Sequence, residues 1–138
     1  MSRKTLGIAA LASLGILSAA VLSATIHVQS LYAYVEGINT DREEAYNIKP
    51  AEPIPVEVGE ELSVSLYGTT RGEDEAVTAN LYVAAGKDKI QITEVGDYWV
   101  SVRIKGGSGG TAQIGYEVDG DYGMAGGIRQ GRITFEIE

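Results

Sequence analysis

The chain has 138 residues, with 11 Lys plus Arg against 19 Asp plus Glu, one His, no Cys and 18 Gly. A net charge of −8 and an isoelectric point near 4.6 leave no basic face for nucleic acid. Without Cys there is no disulfide framework, thiolate nucleophile or zinc–thiolate site, and one His sets aside Ser-His-Asp and multi-histidine chemistry.

Met1-Ser2-Arg3-Lys4 precedes an apolar run from Leu6 to Leu22, and no charged side chain stands between Lys4 and Glu36. A basic start, an apolar stretch and small residues at its end form the pattern of a secretory signal peptide, with Leu22-Ser23-Ala24 as the cleavage site. The expected organisation is a signal peptide over 1–24, an N-terminal strand over 25–35 and a sandwich domain over 36–138. Two readings compete. The run, 17 residues long, sits at the short edge of the ~17–25 a membrane anchor needs. A type IV pilin leader would instead be cut at Lys4-Thr5. Cleavage after Ala24 leaves no stable membrane anchor and a secreted, extracellular or cell-surface chain. It removes Arg3 and Lys4 and no acid, taking the net charge from −8 to −10. Copies so charged repel one another, and divalent cations would offset that repulsion.

From residue 31 onward short β-rich segments alternate with turns. Residues 31–36 read as a strand, followed by turn chemistry over 37–41. Pro50, Pro53 and Pro55 exclude a helix and place their stretch at an edge or in a connection. Residues 56–58 and 62–67 read as strands around a Gly-Glu-Glu turn. An acidic loop over 72–75 precedes a strand over 76–85, which turns at 86–88 into 89–95. Residues 98–104 are the strongest strand, with Val100, Val102 and Ile104 on one face, and Gly96-Asp97-Tyr98 resembles a tyrosine corner. Strands over 111–118 and 132–137 complete the set. The sum is all-β: a two-sheet β-sandwich, jelly-roll-like.

Two Gly-rich stretches, 106–110 and 120–127, lack the Lys and Ser/Thr of a phosphate loop and read as hairpin loops. His27 has no catalytic partner nearby. Paired carboxylates serve a glycosidase only when they face each other across a cleft, and nothing in the chain locates one. No enzymatic activity is expected. The same acids suit calcium, which takes six to eight oxygens. Asp119 and Asp121 lead, then Glu73, Asp74 and Glu75, then Asp41 with Asn39 and Glu43. None follows the EF-hand spacing, and a solvated acidic turn is the alternative for each.

Residues 25–35, TIHVQSLYAYV, form an uncharged β-prone segment at the start of a very acidic mature chain. A free apolar strand is an aggregation hazard, so this one is expected to pair. It is either the first strand of its own sheet or a donor strand inserted in a neighbour's sheet, with Ile26, Val28, Leu31, Ala33 and Val35 filling pockets.

The run AYVEGINTDREEAYNIKPAEPIPVEVGEELSVSLYGTTRGEDEA, residues 33–76, resembles the subunits of archaeal cannulae, extracellular tubes of hyperthermophilic archaea. The resemblance is closest at Tyr34-Val35-Glu36-Gly37 and Asn47-Ile48-Lys49-Pro50-Ala51. It implies a jelly-roll-like sandwich, an N-terminal strand donated to the next subunit and calcium-assisted assembly. Few Asn, Gln, Cys and Met beside abundant Glu follow a hyperthermophile trend. Secreted filament proteins of the biofilm-matrix type offer a second resemblance, also with donated strands. The expected function is a structural subunit that self-assembles into a head-to-tail homopolymer, a filament or tube, with calcium. The alternative is a monomeric secreted module that uses Trp99 and surface tyrosines for carbohydrate or adhesion.

Overall fold

The strict in–out alternation of residues 61–70 organises the whole chain. Leu62, Val64, Leu66, Gly68 and Thr70 point inward, while Glu61, Ser63, Ser65, Tyr67 and Thr69 point outward. Period-two patterning of this kind suits a sheet with one buried face. The computed structural model describes residues 26–107, 109–124 and 129–138. The expected leader, its cleavage site and both competing readings of residues 1–24 lie outside the described residues. Among those described, no helix is long and apolar enough to cross a membrane.

The strands are β1 (Ile26–Val28), β2 (Ser30–Gly37), β3 (Glu43–Asn47), β4 (Ile54–Val56), β5 (Glu61–Thr70) and β6 (Glu73–Ala76). They continue with β7 (Ala79–Ala85), β8 (Ile90–Val95), β9 (Trp99–Ile104), β10 (Thr111–Val118), β11 (Tyr122–Met124) and β12 (Gln130–Ile137). The first sheet has the order β3-β2-β5-β9-β8, with β6 paired to the C-terminal half of β5. The second has the order β4-β12-β10-β7, in which β4 runs parallel to β12. A short parallel pair joins β1 to β11.

The expected all-β, two-sheet sandwich is the architecture found. Within it, β2-β5-β9-β8 and β7-β10-β12 follow the A-B-E-D and C-F-G order of immunoglobulin-type Greek keys. That order replaces the jelly-roll arrangement expected, because the β8–β9 and β10–β12 hairpins keep successive strands in one sheet.

Both inner faces meet in a core whose largest fully buried side chains include Phe135, Ile54, Leu62, Leu66, Ile90, Ile104, Ile114 and Ile137. β1 reaches this core because Gly68 has no side chain. A methyl group there would come within 2.5 Å of Val28 Cγ1. Two expectations shift. The acidic residues 73–76 form strand β6, since the β5 ladder extends past Tyr67 and recruits them as a hairpin partner. Tyr98 makes no corner; it packs edge-on against Tyr67, with ring centroids 5.8 Å apart. Tyr122 instead ties the segment after β10 to the start of β7, its hydroxyl accepting the Thr78 N–H at 3.3 Å.

Phe135→Ala should cost about 3–5 kcal/mol, because it removes a fully buried ring of the second sheet from the core. Urea denaturation measures this, and a loss below about 1 kcal/mol would contradict the packing described.

Candidate functional site

The N-terminal segment enters its own sheet. β2 runs antiparallel between β3 and β5, paired along its full length with Thr69 to Leu62. Ala33 and Val35 are buried, Leu31 is half-buried, and Val28 of β1 is buried over Gly68. Ile26 remains 44% exposed. The described chain therefore pairs this segment in cis, with β1 before β2 paired to β11 and residues 38–42 joining β2 to β3.

That loop is heavily bonded. Arg42 donates from Nε to Glu60 Oε2 at 2.7 Å and from Nη2 to Oε1 at 3.1 Å. The Glu57 N–H donates to Glu60 Oε1, and the Thr40 hydroxyl to Oε2. Asn39 bridges to Gly59 and Glu61. Burial alone would raise the Glu60 pKa, but these donors and the Arg42 charge outweigh it and hold the carboxyl below its ordinary value. The Arg42–Glu60 pair had no signature in the sequence, since only strand register brings residues 18 apart together.

The outer face of the first sheet carries a group of aromatics. Tyr32 lies opposite Tyr67, and Tyr34 and Trp99 lie on either side of Ser65. The Tyr32 and Tyr67 rings stack at 5.9 Å, and Tyr34 meets Tyr67 edge-on at 6.3 Å. Burial and the nearby acids Asp74 and Glu43 raise the Tyr32 and Tyr34 phenols respectively. The Trp99 indole packs over Gly96, to one side of the rings.

The calcium candidates do not converge. Asp119 Oδ1 accepts the Asp121 N–H at 2.9 Å, closing a turn, and the Arg129 guanidinium donates to the main-chain oxygens of Val118, Asp119 and Tyr122. Glu73 and Glu75 lie on one face of β6 and Asp74 on the other. Thr70 donates to Glu75, and Thr69 donates to Asp74 at 3.3 Å. Asp41 is exposed in the loop after β2. Among the described residues no three acids or His are grouped to hold a metal ion. Two of the clusters do bracket the N-terminal strands. The Ile26 N–H donates to the Asp121 carbonyl, and Ser30 donates to Thr69, which donates to Asp74.

Comparison with protein-family models, with curated proteins and with solved structures finds no match.

Glu60→Gln should cost about 3 kcal/mol at pH 7, because it takes the buried carboxylate from Arg42 and leaves that half-buried guanidinium only the exposed Glu44. A lowered carboxylate pKa stabilises the fold above the unfolded value near 4.3 and ceases to do so as pH falls through the folded value. The gap between the native chain and the variant should therefore close in acid. Urea titrations at pH 7, 5 and 3 check it; a gap constant with pH would contradict the assignment.

Proposed function

We propose that the protein is a secreted structural subunit that assembles head to tail into an extracellular filament or tube. Its N-terminal strand is exchanged between neighbours, and calcium bridges the acids at the joint. One observation carries this reading. β2 is an internal, core-filling strand within the segment expected to open the mature chain, and the 38–42 loop joins it to β3.

Such a strand can leave its slot and occupy the identical slot of another copy. Every main-chain hydrogen bond and every buried methyl is then remade, so exchange costs little beyond association and rearrangement of the tether. Reciprocal exchange closes a dimer; one-way donation leaves a free strand at one end and an empty slot at the other, and the chain of subunits grows. The acids beside Ile26 and Ser30 would gather where two subunits meet. Oxygens from both would complete a calcium shell that neither copy holds alone. No step of this function calls for a catalytic residue or nucleic acid. The tyrosine face favours the second reading, a monomeric secreted binding module.

The absence of Cys makes a clean test. Ser30 Oγ and Thr69 Oγ1 are 3.0 Å apart across β2 and β5. Ser30→Cys and Thr69→Cys proteins, mixed and oxidised after assembly with calcium, should give disulfide-linked pairs containing one copy of each. No cross-link between the two single variants, beside a cross-link within single copies of a Ser30→Cys, Thr69→Cys double variant, would place the strand permanently in its own sheet and exclude exchange.

A further inference from the structure

The outer face of the first sheet has chemistry that the core does not require. Its register sets Asn47, Tyr32, Tyr67 and Ala76 in one row, and Ala45, Tyr34, Ser65 and Trp99 in the next. The small side chains at 45, 65 and 76 leave the rings partly open to solvent. Above the aromatics stands Asp74 beside Thr69; below them, Glu36 lies directly opposite Glu43 on the same face. Like charges set directly opposite across a strand pair are unfavourable, and no basic side chain occupies either aromatic row. Arg103, lower on the face, is within 3.7 Å of Glu61.

We propose that this face is a docking site for a cationic partner: an extended lysine- or arginine-bearing peptide segment laid across Tyr32, Tyr34, Tyr67 and Tyr98. Aromatic ring faces attract ammonium and guanidinium groups, and the attraction strengthens as the cation loses water. The carboxylates of Glu36, Glu43 and Asp74 give the same cations ionic partners at the margins of the rings. A segment crossing the sheet would relieve the Glu36–Glu43 repulsion while its side-chain stems cover the tyrosines. Charge complementarity selects the occupant. A second copy of so acidic a chain is disfavoured by repulsion, and a neutral glycan would leave the opposed carboxylates uncompensated. β2 brings Tyr32, Tyr34 and Glu36 to this face whether it comes from its own chain or from a neighbour, so the site does not rest on the proposed exchange.

Fluorescence anisotropy of a labelled octalysine peptide titrated with the native chain tests it. Tyr32→Leu with Tyr34→Leu keeps the net charge and the apolar cover, and should weaken binding about fivefold or more. Glu36→Gln with Glu43→Gln, which relieves repulsion and so folds readily, should weaken it comparably. Glu117→Gln with Glu136→Gln removes the same charge from exposed positions on the second sheet and should change affinity less than twofold. Equal losses in the two acid pairs, or no loss in the tyrosine pair, would reduce the interaction to diffuse electrostatics and overturn the site. Binding of cellohexaose at this face in place of octalysine would overturn it in favour of a glycan platform. Circular dichroism of each variant confirms that the sandwich is retained.

Discussion

Strand β2 fills the gap between β3 and β5, and the first sheet depends on that placement. With β2 absent, β3 loses its only partner in the sheet and β5 loses one of its two long ladders. Ala33 and Val35 leave the core, and the aromatic face loses two of its tyrosines. Unpaired backbone groups and exposed apolar surface on that scale are costly in water. The slot must therefore be filled, and the sandwich does not distinguish a strand of its own chain from an identical strand of another.

The loop after β2 works against easy release. Asn39, Thr40 and Arg42 all bond to the 59–61 segment, and Glu60 is buried among its donors. A bonded tether raises the barrier to exchange without changing the free energy of the ladder itself. The outer aromatic face lies on the opposite side of β2 from the core, so the same strand serves packing with odd-numbered residues and surface chemistry with Tyr32 and Tyr34.

Much of the architecture is legible in alternation alone. Leu62, Val64 and Leu66, or Val100, Val102 and Ile104, can lie on one face of a strand and nowhere else. Strands without apolar alternation are not legible. Glu43–Asn47 and Glu73–Ala76 become strands because their neighbours β2 and β5 offer free ladder groups. Strand order is likewise hidden, since it depends on which hairpins stay within one sheet. Of the site, Tyr32 and Tyr34 are visible as a same-face pair, but Tyr67 and Tyr98 join them only through register. The acids proposed for calcium are easy to find and hard to group. Alternation divides Asp74 from Glu73 and Glu75, and the Asp119 carboxylate is engaged with its own turn.

Electron cryo-microscopy of the protein assembled with calcium tests the central claim most directly. Exchange predicts continuous density for residues 38–42 passing out of one sandwich into the β2 slot of the next, with the subunits repeating along an open axis. Density for that loop returning to its own sandwich, or dispersed single subunits at every calcium concentration, would contradict it.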